Sequence, residues 1–169
     1  MLRPKIETIV VRDNFPKLQK GVQAVIAVDV LVGVPAEKAP REEDARGTPI
    51  NNAALAYIHD NGCPAVNIPA RPFMRPGIEN ARHDIESGFA KAASAALEGR
   101  TDDMMLQLNA VGIKAATAIR MKINTGPFLP IGAATIAARR RRGRISTKPL
   151  IDTGQMRNSI TYVIRKRAR

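Results

Sequence analysis

The chain has 169 residues, of which 44% are apolar and 4% aromatic, and it contains no tryptophan. This length suits one domain with extended arms, residues 1–169, and the scarcity of aromatic residues argues against a deep ligand pocket. The net charge is +12, and residues 139–169 hold 11 of the Lys and Arg residues but one acid. This basic end predicts a contact with phosphate or with an acidic surface.

The N-terminal part of the chain predicts two strands that flank a helix. β-branched residues dominate Lys5–Arg12, which predicts a short strand. Asn14 is a plausible N-cap for a following helix, whose apolar stripe consists of Phe15, Leu18, Val22, Val25 and Ile26. Asp29–Val34 then has the two-residue period of a second strand.

Residues 35–50 are predicted to form a protruding charged loop. The segment carries seven charged residues together with internal proline and glycine, and it has too little apolar surface to order itself. A loop of this length in a small domain is usually functional or disordered. We therefore expect a protruding arm, which is held in place by contacts with neighbouring subunits.

The middle of the chain predicts a short helix and then an extended segment. Asn51–Asn61 has helical spacing and is followed by Gly62, a typical C-terminal cap. Residues 64–76 contain four prolines, which block helix formation and favour extended backbone in the residues before them.

Two long helices are predicted next, over residues 77–97 and 101–124, and they form an αα-hairpin around Gly99. Thr101 is predicted to cap the second helix, with two aspartates at its positive end. Residues 126–149 follow as a second, irregular and basic arm. Alternating apolar residues in Ser159–Arg165 predict a C-terminal strand.

The order of these elements predicts an α+β fold. We expect a small antiparallel or mixed sheet packed against amphipathic helices, including the long αα-hairpin, with two extended arms.

Asp152-Thr153-Gly154 is the most enzyme-like string in the chain. It matches the signature of the aspartic proteases, in which two such aspartates share a proton across a dimer. That fold needs a flap and a further buried strand, and few residues follow Gly154. The favoured interpretation is that Asp152 and Gly154 shape a turn.

No metal or cofactor site is predicted. Cys63 is the only cysteine, so it forms no internal disulfide and is typical of a reducing compartment. His59 and Cys63 are separated by a helix break, and no further ligand has suitable spacing. Residues 126–132 lack the ending of a phosphate-binding loop. We therefore predict neither catalytic residues nor a bound cofactor.

Two groups of residues are predicted to make contacts. The basic run has no interleaved aromatic residues, so it favours an acidic protein surface or the DNA backbone over base stacking; it consists of Arg139, Arg140, Arg141, Arg142 and Arg144. The rigid Arg-Pro-Phe-Met-Arg-Pro segment presents Arg71, Phe73 and Arg75 as inter-subunit contacts. For Phe73, a place in the core, where the chain enters the long helix, is favoured over such a contact.

Several strings together resemble one protein family. Residues 56–62 with 67–76 (NIPARPFMRP), and residues 149–160 (PLIDTGQMRNSI), are similar to segments of tail-completion and neck proteins of tailed bacteriophages. That family includes relatives of the lambda minor tail protein Z and the virion-morphogenesis proteins. The resemblance covers roughly residues 30–163 and departs from the usual pattern at His59-Asp60-Asn61.

The resemblance implies a non-enzymatic ring subunit of the virion neck, made in the cytoplasm of the host bacterium. Such subunits form homo-oligomers, typically hexameric rings. Their implied partners are a head-side, portal-associated connector ring and the tail tube or tail terminator, with non-specific contact to packaged DNA and no membrane. Tail termination and head closure remain alternatives, as does a sequence-independent nucleic-acid-binding protein.

Overall fold

A computed structural model describes residues 13–38 and 50–167 of the chain. In this part the fold is α+β, as predicted, and it consists of helices around one small sheet. The helices are α1 (Phe15–Ile26), α2 (Asn52–Asn61), α3 (Met74–Asn80), α4 (Arg82–Leu97), α5 (Thr101–Thr125), α6 (Ala133–Arg141) and α7 (Gln155–Ser159). The strands are β1 (Val28–Gly33) and β2 (Thr161–Lys166), and 3-10 turns form at Ala36–Lys38 and Pro64–Val66.

The predicted αα-hairpin is confirmed as α4 and α5, which turn at Gly99 with a φ of 79°. Small residues allow the two helices to pack closely, because a Cβ atom on Gly88 would lie 2.4 Å from a methyl group of Val111. One core cluster forms along this contact, built from Ala92, Ala95, Ala96, Met104 and Leu108. Helix α1 also packs against α4 and this cluster, and a Cβ atom on Gly21 would lie 2.5 Å from the carbonyl oxygen of Ala96.

Strands β1 and β2 pair antiparallel, with Val30 opposite Ile164 and Leu31 opposite Val163. They are the two predicted strands that the structure describes; the strand predicted at Lys5–Arg12 lies outside the described residues. The sheet packs on α5 through Tyr162, whose ring lies against Gly112. The hydroxyl group of Tyr162 donates a hydrogen bond to Oδ1 of Asn109 at 3.0 Å, which fixes the ring over the helix.

A second core cluster lies at the C-terminal end of α5 and contains the largest fully buried side chains of the described residues. Its members are Ala56, Phe73, Ile119, Ile123, Leu150, Met156 and Ile160. These residues come from α2, α5, α7 and the segments between them. The cluster therefore joins the middle of the sequence to its C-terminal part.

Residues 64–97 were predicted to form one extended segment and one long helix, but the structure has two helices at residues 74–97. Helix α3 begins at Met74, and a break at Ala81 separates it from α4. Pro76 is tolerated because the amides of the first helical turn have no intrahelical partner. Oδ1 of Asp60 accepts hydrogen bonds from the backbone amides of Phe73 (2.7 Å) and Met74 (2.9 Å), and so it anchors the start of α3.

Three further predictions differ from the structure. Thr101 is the first residue of α5 and not its cap. Residues 126–149, predicted to be an irregular arm, contain helix α6. The apolar stripe of α1 is largely exposed, with Phe15 the most open at 69%. Of the predicted charged loop, residues 39–49 lie outside the described residues.

Candidate functional site

A cleft of about 720 Å³ opens on the surface of the described part of the chain. One wall is α2 with residues 67–71, and the opposite wall is α6 with residues 150–156. Apolar side chains such as Leu55, Ile68 and Met156 share the lining with Arg71, Arg139, Arg141 and Arg142. The cleft is therefore an apolar groove with a predominantly positive rim, a composition that suits an acidic or anionic partner more than a neutral small molecule.

Arg139 lies at the centre of one wall and is buried, with 8% of its surface exposed. Its Nη1 donates to three carbonyl oxygens, of Ser146 (3.0 Å), Lys148 (2.8 Å) and Ile151 (3.0 Å). A buried guanidinium is tolerated only when its donors are satisfied in this way. The side chain thus holds the loop between α6 and α7 in place. It is not available for the partner contact that was predicted from the sequence.

Asp152 is held by two arginines. Its Oδ2 accepts a hydrogen bond from Arg144, and its Oδ1 lies 3.5 Å from Nε of Arg139. Gly154, with a φ of 81°, follows in a turn that only glycine adopts without strain. This arrangement favours the interpretation of Asp152-Thr153-Gly154 as a structural turn over the protease interpretation, because Arg144 is hydrogen-bonded to one carboxylate oxygen and Arg139 forms an ion pair with the other.

The backbone just before this turn is strained. Leu150 is buried and has a φ of 63°, in the left-handed region that residues other than glycine rarely adopt. Its side chain belongs to the core cluster around Phe73. Packing of the leucine side chain therefore holds the backbone in a conformation that costs about 1–3 kcal/mol in isolation.

Arg71 ties the opposite wall of the cleft to the segment before α6. Nε donates to the carbonyl oxygen of Leu129 (2.9 Å) and Nη2 to that of Pro130 (3.1 Å). Burial, and then the nearby charge of Arg139, lower the pKa of the Arg71 guanidinium from its ordinary value. Two positive charges thus lie close together at the base of the cleft.

The predicted inter-subunit contacts separate into buried and exposed residues. Phe73 is fully buried in the core, and Arg71 is 6% exposed. The core position favoured for Phe73 is confirmed. Neither side chain has surface to offer a neighbouring subunit in the folded chain, so the contacts predicted for them are not available. Arg75 is exposed on α3 and stays a prediction.

The predicted arginine patch separates in the same way. Arg139 is buried and Arg144 is engaged with Asp152, whereas Arg140, Arg141 and Arg142 are exposed at the end of α6. The α6 carboxyl end is the negative end of the helix dipole, which favours basic residues there. The exposed part of the patch is therefore a three-arginine rim beside the cleft.

Some structural residues had no clear signal in the sequence. Asp60, in a His-Asp-Asn string too generic for a functional argument, anchors α3. Arg120 donates from Nε to the carbonyl oxygen of Ile160 at 3.1 Å and joins α5 to the start of β2. In both cases the partner is a backbone group far along the chain, which no local pattern encodes.

Residues 13–38 and 50–167 contain neither a metal-binding cluster nor a membrane-spanning helix. No group of three or more His, Cys, Asp or Glu side chains has a geometry that could hold a metal ion. In the same residues, no helix combines the length and the apolar character needed to cross a membrane. No protein family model, curated protein or solved structure matches the chain.

Proposed function

We propose that this chain is a structural, non-enzymatic subunit of the neck of a tailed bacteriophage, in the ring that completes the tail and joins it to the head connector. The observation that carries the proposal is the convergence of the two segments that resemble neck proteins. Ile68, Pro69 and Arg71 come from the first segment, and Leu150 and Asp152 come from the second. Although about 80 residues separate them in the sequence, all five line one cleft.

The bonding within these segments supports a scaffold rather than a reactive centre. Arg71 and Arg139 donate to backbone carbonyl groups, and Asp152 is engaged by arginines. Side chains that act on a substrate need free donors, acceptors or lone pairs directed at it. Here those groups stabilise the backbone that shapes the cleft.

The three-arginine rim is the proposed contact with an acidic surface of the adjoining ring. Arg140, Arg141 and Arg142 are exposed, and the last two line the apolar groove. Such a rim increases the association rate and the specificity of docking. The cleft would then receive apolar side chains of the partner between these charges.

The test is inactivation of the gene followed by negative-stain electron microscopy of the lysate. We expect filled heads beside separate tails, with few joined particles. Complementation with the native gene should restore joined virions. Normal virions without the gene product would reject the structural role.

Variants in the same assay address the rim. The double variant Arg140→Ala/Arg141→Ala should reduce the yield of joined particles at least about tenfold, if the rim contributes one or two charge-assisted contacts. Lys20→Ala/Lys91→Ala removes the same charge from exposed positions on α1 and α4 and serves as the matched control. Equal yields from the two double variants would remove the rim from the interface.

The alternatives within the neck differ in where the protein is retained. Tail completion or tail termination predicts that the protein co-purifies with tails made in a host producing no heads. Head closure predicts that it co-purifies with filled heads made without tails. Immunoblots of the two particle preparations distinguish these roles.

A second candidate function is sequence-independent binding to nucleic acid, which the exposed arginines of the rim favour. It predicts that the purified chain binds duplex DNA with an affinity that falls steeply with salt. Each phosphate neutralised contributes about −0.9 to the slope of log K against log salt. A slope near zero would reject this candidate, whatever the electron microscopy shows.

A further inference from the structure

The cleft is lined by two arginines that are almost completely buried, one from each wall. Arg71 is 6% exposed and Arg139 is 8% exposed, and both line the cleft. Burial removes a guanidinium group from water, and this cost is offset only when acceptors and an opposite charge compensate the group. The partners of these two side chains therefore show whether the site is complete in the chain alone.

The hydrogen bonds of the two arginines leave part of each guanidinium group unused. Arg71 donates from Nε and Nη2, and Arg139 donates from Nη1. Nη1 of Arg71 and Nη2 of Arg139 have no hydrogen-bond partner within residues 13–38 and 50–167. Neither nitrogen is enclosed by protein atoms, so a group that enters the cleft can reach both.

The charges around these nitrogens favour an anion. In the part of the chain that the structure describes, Arg71 has no carboxylate partner, and the nearest charge that acts on it is that of Arg139. The one acid of the lining, Asp152, is already engaged by Arg144 and Arg139. An anion between Arg71 and Arg139 relieves the repulsion of the two like charges and accepts from N–H groups that are otherwise unused.

The rest of the lining favours a carboxylate on an apolar segment over the phosphate backbone of DNA. Apolar side chains, among them Leu55, Ile68 and Met156, share the cleft with the arginines, and its volume of about 720 Å³ is that of a cavity which encloses its ligand. The described lining has no Phe, Tyr or Trp on which a base stacks. A peptide with one acidic residue between apolar residues complements both the charge and the apolar walls.

We infer that the cleft binds an acidic and apolar segment of a partner protein, whose carboxylate lies between Arg71 and Arg139 and accepts hydrogen bonds from both. The two side chains expose too little surface for contact with the flat face of a subunit, but a single carboxylate that enters the cleft needs only their N–H groups. The site is a property of the isolated chain. Its assignment to the adjoining ring of the neck rests on the proposed function.

Peptide libraries applied to the immobilised full chain test the site. One library consists of capped pentapeptides with Glu at the centre and mixed Leu, Ile, Val and Ser around it, and the matched library has Gln at the centre. Mass spectrometry should recover at least about ten times more peptide from the Glu library, because only a carboxylate forms charge-assisted hydrogen bonds with both arginines. Equal recovery from the two libraries, or retention of neither, would overturn the inference. Displacement of the Glu peptides by an equal concentration of inorganic phosphate or of a DNA duplex would also overturn it, and would assign the site to phosphate.

A carboxylate built into the cleft provides the second measurement and leaves the buried arginines in place. Thr135 is exposed, lines the cleft and lies one helical turn before Arg139 on α6. Thr135→Glu should reduce retention of the Glu library to that of the Gln library, because the new carboxylate competes for the same guanidinium groups.

Ala137→Glu is the matched control, since it adds the same charge to an exposed position of α6 outside the lining. It should retain the Glu library as the native chain does, and circular dichroism should show that both variants are folded. Native retention by Thr135→Glu, or an equal loss in Ala137→Glu, would contradict the proposed site. None of these results decides the neck role, which the particle assay tests separately.

Discussion

At the scale of single residues, two adjacent arginines of α6 have the same side chain but differ in burial and in bonding. Arg139 is buried and bonded to three carbonyl groups, and Arg140 is exposed. A run of four arginines predicts a solvated patch, because sequence alone does not show which member turns inward. The burial of Arg139 depends on the loop that returns from α6 to α7, so it could not be predicted from the run.

This difference predicts unequal effects of alanine substitution. Arg139→Ala leaves carbonyl groups and the Asp152 carboxylate without their buried partner, and breaking such a buried pair costs about 3–5 kcal/mol. Arg140→Ala should change the free energy of unfolding by less than about 0.5 kcal/mol. Urea unfolding of both variants measures these values. Equal effects would mean that the Arg139 network contributes little to stability.

A second residue-scale prediction concerns Asp84 on α4. The hydrogen bond from Lys114 of α5, at 3.0 Å, lowers the pKa of the Asp84 carboxyl group, and the nearby positive charges act in the same direction. A lowered pKa means that the ionised carboxylate stabilises the fold above the pKa of the unfolded chain. That contribution is lost as the pH falls through the lowered value.

The pKa of Asp84 can be measured by NMR titration of its carboxyl carbon. We expect a value below the ordinary one in the native chain and a rise toward it in Lys114→Gln. Lys20→Gln, which removes a charge from α1, should leave the pKa unchanged. If the titration of Asp84 is the same in all three proteins, the interhelical pair does not form in solution.

At the scale of elements, helices and strands with a regular periodicity could be predicted from the sequence. The positions of the backbone breaks between them could not. The αα-hairpin and strands β1 and β2 follow from spacings of three to four and of two residues. The break between α3 and α4 falls at Ala81, an alanine and thus the strongest helix former, so no local signal marks it. Helix α6 was not predicted, because Gly and Pro residues flank it and its sequence is highly charged. Its alanines and arginines nevertheless favour a helix.

The contact between α5 and β2 gives an element-scale prediction. A Cβ atom on Gly112 would lie 2.2 Å from the ring of Tyr162. Gly112→Ala gains about 1 kcal/mol of helix propensity, but displacing the packed ring costs about 1–3 kcal/mol, so we expect a net loss of stability. Gly132→Ala, whose new methyl group meets nothing within 4 Å, controls for the substitution without a clash; it should cost only the preference of the α6 N-cap position for glycine over alanine.

A double-mutant cycle isolates the steric cause. In a Tyr162→Ala background the ring is absent, so Gly112→Ala should become neutral or stabilising. Thermal unfolding of the four proteins gives the coupling free energy. If Gly112→Ala is equally destabilising in both backgrounds, the ring contact is not the reason for the glycine.

At the scale of the whole molecule, the two core clusters divide the chain into regions held by different contacts. The cluster of α4 and the first half of α5 is built from neighbouring helices and follows from their periodicity. The cluster around Phe73 combines distant segments, and Arg71 joins the same region to Leu129 and Pro130. The α+β class could thus be predicted, whereas the cleft, which depends on these distant contacts, could not.

This division predicts a local response to Arg71→Ala. Loss of the two hydrogen bonds to Leu129 and Pro130 should increase hydrogen exchange of the amides in residues 127–142, because local opening follows the contacts of each region. Helix α4 and the first half of α5, which pack through the other cluster, should exchange at the native rate. Arg75→Ala, which removes an exposed arginine of α3, is the control and should leave both regions unchanged. Mass spectrometry of peptic fragments resolves the regions, and an increase spread evenly over both would show that the molecule opens as a single cooperative unit.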